Sequence, residues 1–180
     1  MIRLEYFDKT DFQQLMMWVK DDELLKNWCG SLFSFPLTEM SLNWYIEGSN
    51  HAGAEVFIYK VVETSTNTTI GHISLGGISK KNKSARISRV LVSNDKRGKG
   101  YCIMMVSEIL KIGFEDLKLH RISLGVYDFN ASAIRCYQKA GMIIEGTNRD
   151  ILNFKGKWWS LVELSILENE WRSPVIKKSN

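Results

Sequence analysis

A loop with two glycines and two basic residues is the part of this chain best suited to chemistry. Arg97, Gly98, Lys99 and Gly100 follow an apolar β-branched run and precede a segment with apolar residues at helical spacing. A strand, a glycine turn and a helix N-terminus together present free backbone N–H groups and the positive end of a helix dipole. Glycine is favoured there because a β-carbon would hold a phosphate away from the backbone. The pattern predicts a site for a phosphate or pyrophosphate.

Three kinds of phosphate-binding loop have sequence patterns that can be sought in this segment. A nucleoside-triphosphatase loop needs Gly-Lys-Ser/Thr after a glycine and four further residues, and the chain has no such string. A dinucleotide-binding loop needs a third glycine or alanine, where this chain has Ile103. Residues 97–102 resemble the acyl-CoA loop of the GNAT acetyltransferases, Arg/Gln-x-x-Gly-x-Gly/Ala, at every position except Cys102. For the loop taken alone, a flexible surface turn is the alternative.

A second motif follows the loop in the chain. An alternating strand at residues 122–126 precedes a helix that Asn130 can cap and that Gly141 can end in a left-handed conformation. Residues 130–142 resemble the second GNAT motif, Asn-x-x-Ala-x-x-x-Tyr-x-Lys-x-Gly-Phe, with Met142 in place of the usual phenylalanine. Because two motifs occur in the family's order on the expected elements, the chain is identified as similar to the GNAT N-acetyltransferases.

The resemblance implies how the cosubstrate acetyl-CoA is held. In this family the strand before the loop carries a bulge and splays from the next strand, so that the pantetheine arm pairs with its backbone. A backbone N–H of Leu91 or Val92 would face the thioester oxygen and stabilise its developing charge. Arg97 and Lys99 would add charge-assisted contacts to the pyrophosphate. The implied donor-binding residues are Val90, Leu91, Val92, Arg97, Gly98, Lys99, Gly100, Tyr101, Cys102, Asn130, Ser132 and Tyr137.

Tyr137 is also the predicted catalytic residue. Family members protonate the departing sulfur from this position, and a hydroxyl with an ordinary pKa of about 10 matches a thiolate leaving group. The alternative, a packing tyrosine on an amphipathic helix, is disfavoured by its spacing from Asn130. The general base stays open, because residues 85–89 contain no carboxylate. The candidates are Glu55, Glu63, His72 and Asp128, or a chain of water molecules.

The region between the first two predicted strands would form one wall of the acceptor cleft. The aromatic candidates to line it are Trp18, Trp28, Phe33, Phe35 and Trp44. For any single one of them a place in the core is the commoner role. The acidic run at residues 21–23 would attract a cationic acceptor, although a solvated helix start is the commoner role of such a run.

Length and composition favour a single globular domain. The chain has 180 residues, of which 44% are hydrophobic and 24% charged, enough for a sizeable core. We expect an α/β (α+β) GNAT fold over residues 1–172, followed by a polar tail at residues 173–180. Its sheet would be mixed and mostly antiparallel, with about six to seven strands and helices on both faces. Asp11, Asp21 and Thr38 are predicted to cap the early helices.

Charge and cysteine content bear on partners and location. The formal net charge of +4 is mild, and the phosphates of CoA explain a local basic excess without nucleic acid. No apolar segment approaches the roughly 20 residues that span a membrane, and the N-terminus has no apolar signal core. We therefore expect a cytoplasmic protein with no membrane partner. The chain has an odd number of cysteines, Cys29, Cys102 and Cys136, and their spacing is not typical of a metal site or a disulfide framework. This predicts reduced thiols and no metal.

The activity that these observations predict is acetyl transfer from acetyl-CoA to a primary amine by direct attack in a ternary complex. The ending of the chain, with Gly156, Lys157 and Trp158 and then Trp171, resembles the ribosomal-protein-alanine and polyamine acetyltransferase branch. The acceptor would be a protein N-terminus or a small amine such as a polyamine or an aminoglycoside. A CoA-binding regulatory module without turnover is the alternative, and a homodimer is left open.

Overall fold

The structure is a computed structural model that describes residues 1–172, so the tail predicted at residues 173–180 lies outside the described part of the chain. The strands are β1 (Ile2–Tyr6), β2 (Phe57–Glu63), β3 (Thr68–Ser79), β4 (Ser84–Val92), β5 (Arg121–Tyr127), β6 (Ile143–Phe154) and β7 (Lys157–Leu167). The helices are α1 (Phe12–Trp18), α2 (Asp22–Cys29), α3 (Glu39–Ile46), α4 (Tyr101–Lys111), α5 (Ala131–Lys139) and α6 (Glu168–Arg172). No helix in this part of the chain is both long enough and apolar enough to span a membrane.

The strands form one seven-stranded sheet in the order β1-β2-β3-β4-β5-β7-β6. β4 and β5 run parallel, and every other neighbouring pair is antiparallel. This arrangement confirms the predicted mixed, mostly antiparallel sheet. The parallel pair occurs where α4 carries the chain from one strand to the next, since parallel neighbours need a crossover connection.

Helices cover both faces of the sheet, as predicted. Met105 and Ile109 of α4 are buried in one core, and Phe12 of α1 and Leu25 of α2 are buried in the other. β2 marks the division, because Ile58 belongs to the second core while its two neighbours in the strand belong to the first. Successive strand residues point to opposite faces, so one strand contributes to both cores. Each such fully buried apolar side chain contributes about 1.5–3 kcal/mol.

Most predicted helix caps are present. The side chains of Asp21, Thr38 and Asn130 accept hydrogen bonds from first-turn backbone N–H groups at 2.7, 3.2 and 3.3 Å. These bonds satisfy donors that the start of a helix leaves unpaired. The prediction for Asp11 is wrong, since it precedes α1 but makes no side-chain cap. Its carboxylate oxygens instead accept hydrogen bonds from Lys60 Nζ at 3.1 Å and from the backbone N–H of Asp8 at 3.0 Å, which leaves them unavailable to the helix.

β4 and β5 separate soon after they begin. Their pairing ends with Arg86 opposite Ser123. On its other side, β4 has one extra residue relative to β3 between Ser88 and Leu91. Arg89 lies in this bulge with φ of 53°, a left-handed conformation that a side chain such as arginine seldom adopts. The bulge and the splay expected from the family resemblance are therefore confirmed, and they open a cleft in the middle of the sheet.

Candidate active site

The cleft between β4 and β5 has a volume of about 670 Å³ and is lined by residues of α2, β4, α4, β5 and α5. It brings together the two sequence motifs. The predicted donor-binding residues that line it are Val90, Leu91, Val92, Arg97, Gly98, Gly100, Tyr101, Cys102, Asn130, Ser132 and Tyr137. Lys99 is the one predicted residue that does not, because its Nζ donates to the carbonyl oxygen of Asp95 at 3.0 Å on the surface.

The glycine loop lies at the start of α4. Gly98 and Gly100 have φ of 76° and 81°, so both use a conformation that glycine adopts without steric cost. Apart from its chain neighbours, a β-carbon on either residue would meet no atom of residues 1–172 within 4 Å, which shows that the space above the loop is open. In the part of the chain that the structure describes, no side chain caps α4. The first N–H groups of this helix therefore remain available to an anion.

Basic side chains surround the loop end of the cleft. Lys96 and Arg97 line it from the loop, and Arg135 and Lys139 line it from α5. Arg97 Nε donates to the carbonyl oxygen of Val92 at 3.2 Å, which holds the guanidinium against β4. Arg135 and Lys139 were not predicted, although their four-residue spacing on one helix face was a signal for a shared location. This group of cations suits a ligand with several phosphates.

Tyr137 lies on α5, inside the cleft, and its side chain is almost entirely buried. Burial raises the pKa of its hydroxyl, because the phenolate would lose its hydration. The hydroxyl is therefore protonated at neutral pH. Among the described residues it has no hydrogen-bond partner, so the proton is free to be donated to a ligand in the cleft.

None of the four side chains considered as a general base lines the cleft. Glu63 accepts hydrogen bonds from Lys96 Nζ at 2.8 Å, from Thr66 Oγ1 at 2.7 Å and from the hydroxyl of Tyr101. These bonds, the one from Lys96 first, lower the pKa of Glu63 to about 2 and make it a poor proton acceptor. His72 is buried in the second core, and Glu55 and Asp128 are exposed elsewhere. A proton route through water is the alternative that remains.

The bulge of β4 is held by two side chains. The carbonyl oxygen of Arg89 accepts hydrogen bonds from Trp28 Nε1 and His72 Nδ1, both at 2.9 Å. Because Trp28 belongs to α2 and His72 to β3, these bonds attach the bulge to its neighbours on both sides. Hydrogen bonds from two uncharged side chains thus fix an irregular strand residue at the middle of the cleft.

The five aromatic candidates for the acceptor wall have different locations. Trp28 lines the cleft, and Trp44 lines a second, smaller cavity beside it. Phe33 is buried in the second core, and Trp18 packs against that core at its edge. Phe35 is exposed. The candidates Asp21, Asp22 and Glu23 do not line the cleft, and Asp22 lies 3.7 Å from Lys155 Nζ.

Cys102 and Cys136 form a disulfide bond, so the prediction of three reduced thiols is wrong for this pair. Cys102 is in the first turn of α4 and Cys136 precedes Tyr137 on α5. Their Cα atoms lie 6.4 Å apart, within the range that a disulfide spans. Spacing along the chain could not reveal the pair, because the packing of α4 on α5 brings it together. Cys29 is a free cysteine, and burial raises the pKa of its thiol.

Comparisons with known proteins find related sequences. Residues 2–143 match the family described as the acetyltransferase (GNAT) domain. An uncharacterized N-acetyltransferase from a Bacillus subtilis prophage, YokL, is 27% identical over 151 residues, which cover 84% of this chain and 82% of the relative. The spermidine N(1)-acetyltransferase of Vibrio cholerae is 26% identical over 111 residues, covering 62% of this chain and 64% of the relative.

Solved structures share the fold. The spermidine N-acetyltransferase of Vibrio cholerae in complex with CoA and spermine superimposes with a TM-score of 0.84 at 19% identity, covering 96% of this chain and 98% of the other.

A further sequence relative, a putative ribosomal N-acetyltransferase of Bacillus subtilis, YdaF, is 29% identical over 101 residues, or 56% of this chain and 55% of the relative. By their names, one of the sequence relatives acetylates spermidine and another is a putative ribosomal N-acetyltransferase.

Proposed function

The chain belongs to the GNAT acetyltransferase family, and we propose that it transfers the acetyl group of acetyl-CoA to a primary amine by direct attack within a ternary complex. The observation that carries this proposal is the meeting of both sequence motifs in one cleft. An open glycine loop lies at one end of that cleft, and the protonated hydroxyl of Tyr137 lies inside it.

The cleft offers a binding element for each part of the donor. The uncapped N-terminus of α4 and the basic side chains near it would hold the diphosphate. Within residues 1–172, β4 has no strand partner on its β5 side after Arg86, so an extended amide-bearing arm would take the place of the missing strand along Val90, Leu91 and Val92. The residues that we propose for donor binding are those predicted from the motifs, with Lys99 now the least favoured.

In the proposed reaction this chain supplies a hydrogen-bond donor for the carbonyl oxygen and a proton donor for the sulfur. Acetyl-CoA supplies the acetyl group as a thioester. The acceptor nitrogen forms a bond to the carbonyl carbon while a backbone N–H of Leu91 or Val92 stabilises the charge that develops on the oxygen. As the carbon–sulfur bond breaks, Tyr137 donates its proton to the sulfur, and water takes the proton lost by the nitrogen. Tyr137 then regains a proton from water.

A thiol-release assay with acetyl-CoA and a panel of amines and peptides tests the proposal. We expect release of CoA only when an acceptor is present, with acetylation of its primary amine seen by mass spectrometry. Binding of CoA without transfer to any member of the panel would instead identify a regulatory module. Absence of CoA binding would contradict the proposal itself.

Donor binding has a matched pair of variants within the loop. Arg97→Glu reverses a charge inside the cleft, whereas Lys99→Glu reverses one outside it. We expect Arg97→Glu to weaken CoA binding in calorimetry by about tenfold or more, and Lys99→Glu to weaken it much less. Equal effects of the two variants would mean that only the total charge of the loop matters.

A further inference from the structure

Among the described residues, those that line the cleft include several cations and no aspartate or glutamate. The basic members are Arg86, Arg89, Lys96, Arg97, Arg135 and Lys139. A multiply charged polyamine would meet repulsion in such a cleft, because like charges that face a ligand select against it. The lining therefore indicates an acceptor that is not simply cationic.

Most of these cations have roles other than binding of the acceptor. Lys96 and Arg97 belong to the donor loop, and Arg135 and Lys139 flank Cys136, which is bonded to the first turn of α4. Arg86 is neutralised, since its Nη1 and Nη2 donate to Glu163 at 2.8 and 2.9 Å. Arg89 remains, and within residues 1–172 no carboxylate lies within 4.0 Å of it.

The guanidinium of Arg89 is held in place but incompletely hydrogen-bonded. Its Nη1 donates to Ser74 Oγ at 3.2 Å, and its central carbon lies 4.9 Å from the centre of the Tyr45 ring. Its Nε is buried and has no hydrogen-bond partner in the described chain. A buried donor left unpaired costs about 1–3 kcal/mol. An acceptor atom of a ligand would reach Nε only after a shift of the side chain, so a ligand would first meet the other end of the guanidinium.

Arg89 lies on β4 next to the segment that would hold the donor arm. It precedes residues 90–92, on the side away from the glycine loop. It lines both the cleft and the second cavity, which has a volume of about 410 Å³ and walls that include Leu32, Trp44 and Tyr45. Glu47 is the carboxylate of that second cavity, and it is exposed and makes no ion pair with Arg89.

We propose that the acceptor amine also carries a carboxylate group and that Arg89 binds this group. A guanidinium presents a planar set of N–H donors that matches a carboxylate, and Nη2 is not among the buried atoms and has no hydrogen-bond partner in the described chain. Because Trp28 and His72 fix the backbone of Arg89, the anionic group would be held at a constant distance from the donor arm. This inference rests on the proposed acetyltransferase function and specifies its substrate class.

Matched amines that differ in their anionic group test the inference. Lysine is compared with cadaverine, which has the same two amines without the carboxylate, and phosphoethanolamine is compared with ethanolamine. Spermidine is included as a polyamine. With acetyl-CoA and the full chain, we expect kcat/KM for lysine to exceed that for cadaverine by about tenfold or more. A preference for spermidine, or a preference for phosphate without one for carboxylate, would overturn the assignment.

Substitutions at Arg89 separate this inference from the proposed function. Arg89→Gln removes the charge, and it should lower the ratio of kcat/KM for lysine to kcat/KM for cadaverine by about tenfold or more. Arg149→Gln is the control, because Arg149 is exposed on β6 and lines neither cavity. If Arg89→Gln does not fold, Ser74→Ala removes the hydroxyl that positions Nη1 and should reduce the same preference.

The two possible failures give different results. Equal loss for lysine and cadaverine in Arg89→Gln, or acetylation of uncharged and cationic amines alone, would overturn the role of Arg89 and leave the acetyltransferase function intact. No acetylation of any amine by the wild type would overturn both.

Discussion

The Nδ1 atom of His72 lies 2.9 Å from the carbonyl oxygen of Arg89. Because a carbonyl oxygen can only accept, Nδ1 carries the proton, and Nε2 is left to accept from the hydroxyl of Tyr45 at 3.5 Å. Burial, followed by the nearby charge of Arg89, lowers the pKa of His72 to about 4. A neutral histidine therefore links β3, the bulge of β4 and α3.

Stability should fall in mildly acidic solution because of His72. The unfolded chain binds a proton at its ordinary pKa of 6.5, whereas the folded chain binds it only near pH 4. The contribution of neutral His72 to the free energy of unfolding is thus fully present above about pH 6.5. It is lost as the pH falls to about 4, by about 1.4 kcal/mol per pH unit. Denaturant unfolding of wild type and His72→Asn between about pH 5 and 7 measures this slope.

The variant should flatten the slope even if its stability at pH 7 is lower. Asp8, Glu63 and Glu145 also have lowered pKa values, but their contributions are lost below their ordinary values of 3.8 to 4.5. They therefore do not interfere in the chosen range. Parallel slopes for both proteins would show that another group titrates.

Tyr137→Phe should reduce turnover by roughly 100-fold or more, the usual range for the loss of a positioned acid. The ring remains to fill its place in the core, so the fold and CoA affinity should be nearly unchanged. The loss should appear in kcat and not in the KM of the acceptor, because the proton is needed only as the thiolate leaves. Steady-state kinetics with the best acceptor of the panel provide the measurement.

Tyr59→Phe is a matched control for this substitution. Tyr59 is a buried tyrosine of β2 whose pKa burial also raises, but it lines neither cavity. The Tyr59→Phe variant should therefore retain wild-type turnover. Full activity in Tyr137→Phe would mean that solvent or another residue protonates the sulfur, and Tyr137 would then be a packing residue.

Gly100→Val should abolish CoA binding in a protein that still folds. The side chain would project into the open space above the loop, where the diphosphate is proposed to lie. Gly156→Val is the control, since Gly156 has nearly the same φ, 83° against 81°, and equally open surroundings in the β6–β7 turn. Both variants carry the cost of a branched residue at positive φ, so only Gly100→Val should lose affinity in calorimetry.

The disulfide bond should contribute measurable stability. Cys136→Ala should lower the free energy of unfolding by about 2–4 kcal/mol under non-reducing conditions, because the unfolded chain gains freedom. Cys29→Ala keeps the disulfide bond, so reductant should destabilise it as it does the wild type, whereas reductant should leave the stability of Cys136→Ala unchanged. In the unfolded wild type, alkylation followed by mass spectrometry should find one reactive thiol before reduction and three after it. Three thiols without reductant would contradict the bond.

Local signals account for the parts of the site that could be predicted. Asn130 caps its own helix and Gly141 ends it with φ of 97°, so neither depends on distant residues. Arg89 could not be foreseen, because arginine gives no signal for positive φ and the partner of its carbonyl, Trp28, lies 61 residues away. The Cys102–Cys136 pair is separated by 34 residues and depends on how two helices pack.

The bond between Cys102 and Cys136 also closes residues 102–136 into a covalent ring that includes nearly all of α4, the whole of β5 and much of α5. This ring forms the wall of the cleft that faces β4, and its two helices cannot separate while the bond is intact. The opposite wall is held to α2 and β3 by hydrogen bonds and packing alone. The disulfide bond therefore fixes α4, with the glycine loop at its start, relative to the helix that carries Tyr137.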